Sequence, residues 1–143
     1  MKGYTIIISA VAAIGGLLFG FDTAVIAGAI PALRSFFELS DSAIGLIVAA
    51  TSIGCIPGAL FSGTLADRFG RKNMMLTTAV FYLISAIGCG IAGSLTQLAL
   101  YRLVGGLAIG MASTLAPIYI SEVAPARFRG RLGMLQQLAI VTG

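Results

Sequence analysis

Residues 63–72 read Gly63-Thr64-Leu65-Ala66-Asp67-Arg68-Phe69-Gly70-Arg71-Lys72, a charged segment set between two long apolar runs. One run extends from about Ser42 to Leu65 and the other from about Met74 to Ala92. Each exceeds the ~18 residues that carry a helix across a hydrocarbon core of ~30 Å. The segment between them holds three cations and one acid, which is the composition of a turn where two membrane helices reverse in water. Gly63 permits close helix contact and Gly70 a tight reversal, while Asp67 accepts from backbone and arginine donors. Arg71 and Lys72 fix the orientation. Read more plainly, the segment is a basic turn and nothing else.

Outward from this turn the pattern repeats. Further apolar runs extend from about Thr5 to Ile30 and from about Leu98 to Ile120, and another begins near Leu132 and is still apolar at Gly143. Of the 143 residues 58% are hydrophobic and only 10% charged, against ~25% charged in a soluble domain. The mean hydropathy is +1.02. The solvent of this chain is therefore largely lipid, and a strand barrel is ruled out because it would show ~10-residue alternating segments. An all-α membrane protein follows. The last run stops without a capping signal, so the expectation is four complete helices, the start of a fifth, and membership of a longer chain.

Composition also excludes functions. There is no histidine and no tryptophan, which removes His-based catalytic and metal sites, and no nucleophile–base pair or metal cluster is present. An enzyme is the least favoured reading, and no metal or organic cofactor is expected. Cys55 and Cys89 lie in apolar runs without CxxC spacing and read as small buried helix residues. The net charge of +4 does not signal nucleic acid, because the basic residues are confined to the connections. A cleaved signal peptide is not expected, since the first run is long and carries Asp22.

The connections alternate in charge. Arg34, Glu38 and Asp41 lie between the first two runs, and residues 93–97 between the third and fourth carry no charge. Arg127, Arg129 and Arg131 follow the fourth run, with Glu122 just before them. The positive-inside rule then places Lys2, the Arg68–Lys72 turn and the Arg127–Arg131 segment in the cytoplasm, with the protein multi-pass in the cell membrane.

Within the spans, small residues recur at four-residue spacing: Gly16 and Gly20, Gly54 and Gly58, Gly106 and Gly110. In lipid such pairs let two backbones approach closely. Pro57 and Pro117 sit inside helical runs and should bend them locally. Asp22 is a carboxylate inside the first run, expensive in lipid unless paired, hydrated or protonated. The one intramembrane cation is Arg102. With the helix ends drawn above, Asp22 lies ~12 Å and Arg102 ~6 Å from the outer face, so a pair is geometrically sensible. The blander readings are an arginine snorkelling to the headgroups and an aspartate near a helix end.

Residues 63–72 fit the G-x-x-x-D-R-x-G-R-[KR] signature that joins the second and third helices of the major facilitator superfamily. Arg102-Leu103-Val104-Gly105-Gly106-Leu107-Ala108-Ile109-Gly110 resembles the R-x-x-G-G-x-x-x-G segment of its sugar porter family. Pro117-Ile118-Tyr119-Ile120-Ser121-Glu122-Val123-Ala124-Pro125, continuing to Arg127-Phe128-Arg129-Gly130, resembles that family's P-x-Y-x-x-E-x-x-P-x-x-x-R-G stretch. Gln136-Gln137-Leu138-Ala139 and the Gly20-Phe21-Asp22 of the first run agree as well.

The resemblance covers the whole chain in order and departs from the family in length, since fewer than five of twelve helices are supplied. It implies the N-terminal part of a twelve-helix, two-lobed, alternating-access carrier with a sugar site between its halves. It further implies Asp22 as the proton acceptor with Arg102 as its partner, and Gln137 and Phe19 as residues at the sugar. Asp67, Arg68, Arg71, Glu122 and Arg129 would form a cytoplasmic charge network that latches the outward-open state. The partners implied are a monosaccharide or similar polyol, the lipid bilayer and the C-terminal lobe of the same carrier, with the proton as coupling ion. Passive sugar facilitation, a non-sugar antiporter of the same superfamily, and a membrane piece without transport activity stand as alternatives.

Overall fold

The computed structural model describes the chain from Gly3 to Gly143, so Lys2 and its placement lie outside the described residues. The described residues form five helices and no strand: α1 Gly3–Phe37, α2 Asp41–Phe69, α3 Arg71–Ile91, α4 Leu95–Val123 and α5 Arg129–Thr142. The first four contain spans long and apolar enough to cross a membrane, whereas α5, at 14 residues, reaches only ~21 Å.

The helices run past the apolar runs at most ends, because local capping and not hydropathy sets where they stop. α1 continues beyond Ile30 through Pro31 to Phe37, ~52 Å of helix, and Arg34 near its end pairs with Asp41 at the start of α2. The reversal takes three residues, with Glu38 at φ 50. Ser40 caps α2 by accepting from the Ala43 amide at 3.4 Å. α4 begins at Leu95 because Ser94 accepts from the Gln97 amide at 3.3 Å while Gln97 Oε1 accepts from the Gly93 amide at 3.1 Å. The pair resembles a capping box, with the glutamine reaching the amide one residue before the Ser94 cap. Between α2 and α3 the chain turns on Gly70 alone, at φ 86, a left-handed conformation that favours glycine.

α4 is the central helix and packs against all four others. Half of its most apolar window is buried, against 17% for α1, so α1 keeps most of its surface for lipid or a partner. Two clusters flank α4. Ala12, Ala116, Ile120, Ala124 and Leu132 join it to α1 and α5, and Ala66, Met74, Met111 and Leu115 join it to α2 and α3.

The glycine pairs make the closest crossings. α2 and α4 run parallel, with Gly106 against the Thr51 carbonyl, Gly110 against that of Cys55, and Gly58 against the Leu107 carbonyl and Met111 amide. α1 and α5 repeat this arrangement: Gly16 meets the Gln136 carbonyl, Gly20 that of Ile140, and Gly143 the Leu17 carbonyl and Phe21 amide. The sequence correspondence is Gly15-Gly16-Leu17-Leu18-Phe19-Gly20 with Gly105-Gly106-Leu107-Ala108-Ile109-Gly110. Since α1 and α4 run in opposite directions, the two crossings are related as an inverted internal repeat. Backbones this close gain dispersion contacts that lipid cannot offer.

Candidate functional site

Asp22 and Arg102 meet inside the bundle. Arg102 Nη1 donates to Asp22 Oδ1 at 2.8 Å, joining α1 to α4. The Arg102 side chain is 9% exposed and that of Asp22 31%, which rules out an arginine snorkelling away to the headgroups. Counted along the helices, Asp22 lies about 22 Å from the end of α1 and Arg102 about 10 Å from the start of α4, because both helices extend past their apolar runs. A charged pair so enclosed is held by its own attraction and by little water, and neutralising either member strands the other.

Other buried polar atoms of the bundle lack partners. Arg102 Nε, Tyr82 Oη and Thr51 Oγ1 are buried without a hydrogen-bond partner among the described residues. Cys55 and Cys89 are free and only partly buried, more open than the sequence suggested.

At the opposite end of the bundle, Arg71 joins two acids from two other helices. Its Nη1 pairs with Asp67 Oδ1 of α2, and its Nε donates to Glu122 Oε1 of α4 at 3.1 Å. Arg68 and Arg129 do not enter this cluster. Arg68 stacks over the neighbouring Phe69 ring at 5.7 Å, and Arg129, exposed at the start of α5, makes no ion pair among the described residues. Of the five charges grouped by sequence, three are brought together.

The glutamine pair is split by the rotation of α5. Gln136 is 6% exposed and faces Gly16 of α1, with its Oε1 unbonded. Gln137, one position round the helix, is exposed and makes no hydrogen bond among the described residues, so its amide is free to meet a ligand. Phe19 is half-buried on α1, one turn before Asp22, and its carbonyl accepts from Thr23 Oγ1 at 3.0 Å. Tyr82 escaped sequence reading. Its signal was the polar stripe it shares with Thr78 and Ser85 on α3, at helical spacing.

A family model described as "Sugar (and other) transporter" matches residues 8–143. The chain is 48% identical over 140 residues to a glucose transport protein of Synechocystis, covering 98% of this chain and 30% of that one. It is 44% identical to the arabinose-proton symporter of Bacillus subtilis, covering 99% of this chain and 30% of the relative. Among solved structures, the inward-open xylose transporter of Escherichia coli superposes with a TM-score of 0.88 at 37% identity, over 97% of this chain and 37% of that one. The chain thus spans about a third of the length of the relatives it matches.

Proposed function

The chain belongs to the sugar (and other) transporter family, and from that premise we propose that it forms the first part of a proton-coupled carrier for a monosaccharide or similar polyol. The family is one of transporters and not of enzymes. In this reading the carrier sits in the cell membrane with its N-terminus cytoplasmic and alternates access to a sugar site between this lobe and a C-terminal one. Gln137 and Phe19 face the sugar, the proton is the coupling ion, and no other cofactor is needed.

The observation that carries the reading is the enclosed ion pair of Asp22 with Arg102. A nearby guanidinium favours the charged carboxylate, and loss of water favours the neutral acid. A pair whose hydration changes between two states of the protein therefore takes up a proton in one and releases it in the other. Neutral Asp22 leaves Arg102 without its partner, which changes the relative energy of the two states. The names of the relatives support the same coupling, since proton symporters for arabinose and xylose are among them.

Asp22→Asn in the full-length carrier tests this. The variant is expected to lose uphill, proton-driven sugar accumulation while keeping sugar counterflow. Accumulation against a gradient by the variant would remove Asp22 from coupling and leave passive facilitation or another coupling site.

A further inference from the structure

The helices α2 and α3 leave a groove between them near the turn at Gly70, because each packs more against α4 than against the other. Phe61, Leu65 and Phe69 form one wall at four-residue spacing, and Asn73, Thr77 and Phe81 the other. Met111 of α4 lies in the floor. The walls run from the turn into the bundle along ~12 Å of each helix. The groove has a volume of about 550 Å³, within the range of small-ligand sites. Its lining is almost wholly apolar. The two polar side chains are turned onto backbone carbonyls one turn back: Asn73 Nδ2 donates to the Phe69 carbonyl and Thr77 Oγ1 to the Asn73 carbonyl, both at 3.0 Å. Such walls suit an acyl chain and not a sugar.

The turn end of the groove is cationic. Arg68 is exposed, its guanidinium stacks over the Phe69 ring at 5.7 Å, and it makes no ion pair among the described residues. The acids of this end, Asp67 and Glu122, are both taken by Arg71. Lys72 borders a different groove, between α1, α3 and α4. Arg127 stacks over Phe128 at the same distance, but that ring packs against the core cluster of α1, α4 and α5 and lines neither groove. The internal repeat also directs a following helix elsewhere. Since α1 and α5 repeat α4 and α2, a helix repeating α3 would pack on α1, which contributes nothing to these walls.

We propose that the α2–α3 groove is a site for an anionic phospholipid, with one acyl chain along its walls and the phosphate on Arg68. Anionic lipids are drawn to basic residues at the membrane surface, and a groove beside such a residue gives the chain a fixed place. The inference needs the membrane setting but neither the sugar nor a role for Asp22.

The purified full-length carrier in detergent is titrated with dioleoyl phosphatidylglycerol and with the phosphatidylcholine of the same chains, and bound lipid is read by native mass spectrometry. Phosphatidylglycerol should bind more tightly, and glycerol phosphate, the headgroup without chains, should not displace it. Arg68→Gln should cost about fivefold in phosphatidylglycerol affinity, the scale of one basic residue at an anionic surface, while Arg127→Gln leaves it in place. Thr77→Phe, which fills the groove, should weaken binding of both lipids. Equal losses in Arg68→Gln and Arg127→Gln mean diffuse attraction by the basic end and overturn the site. Undiminished lipid binding by a folded Thr77→Phe overturns it as well. If Thr77→Phe does not fold, the two arginine variants, both at exposed positions, decide alone. Displacement by glycerol phosphate would make the ligand a free phosphate. No preference between the two lipids would give the groove to another occupant, such as a helix of the second lobe, and ends the proposal.

Discussion

Arg71 ties together the ends of three helices, binding Asp67 of α2 and Glu122 of α4 from the first position of α3. Its side chain is 27% exposed, against 69% for Asp67 and 47% for Glu122, so the arginine is the more enclosed hub and the acids are its wetter rims. Exposed pairs contribute little individually, but one residue serving two pairs cannot be replaced by strengthening either. Under the proposed two-state transport, Arg71→Ala should therefore disturb the balance of states more than Glu122→Ala, and Glu122→Ala more than Arg129→Ala. Single-cysteine labelling from the two sides of the membrane reads that balance. Equal effects of Arg71→Ala and Arg129→Ala would show that the pairing seen here does not set it.

At the scale of elements, the parallel glycine crossings decide how the helices stack. A Cβ on Gly106 would run into the Thr51 carbonyl and its backbone neighbours, atoms that cannot swing aside as a side-chain end can. Gly28 of α1 has open space around the same position. Gly106→Leu should thus destabilise the purified carrier by ~1–3 kcal/mol or more through overpacking. Gly28→Ala should be neutral or stabilising by up to ~1 kcal/mol, because alanine is the better helix former. Thermal unfolding in detergent compares the two, and a Gly106→Leu variant as stable as wild type would mean the α2–α4 crossing is looser than described.

On the whole molecule, large apolar side chains stand exposed along every helix, among them Val11, Leu60, Leu83, Leu100 and Val141. Such a surface suits acyl chains or a second lobe and not water. Six basic residues, Arg68, Arg71, Lys72, Arg127, Arg129 and Arg131, gather at one end of the bundle, around the α2–α3 turn and the α4–α5 connection. Tags at the N-terminus and in the Gly70–Asn73 turn should accordingly report cytoplasmic, and a tag at Glu38–Asp41 outside. A cytoplasmic report from Glu38–Asp41 would invert the molecule and place the Arg71 cluster on the outer side.

The number of helices and their alternation were readable in the sequence because lipid leaves a backbone one local way to satisfy its hydrogen bonds. The glycine spacing announced close crossings, and the partnership of Asp22 with Arg102 followed from there being one intramembrane cation to choose. Tertiary structure alone decided the rest. It selected Gln136 for burial and left Gln137 exposed, made Arg71 the hub while Arg68 turned to Phe69, paired α4 with α2 and α5 with α1, and buried the Tyr82 hydroxyl without a partner among the described residues. Each of these depends on how far a helix is rotated about its own axis and on which neighbour it meets. In a helix that is apolar all round, hydropathy carries no record of that angle. The rotation is fixed only when backbones as close as those of Gly106 and Thr51 lock into register.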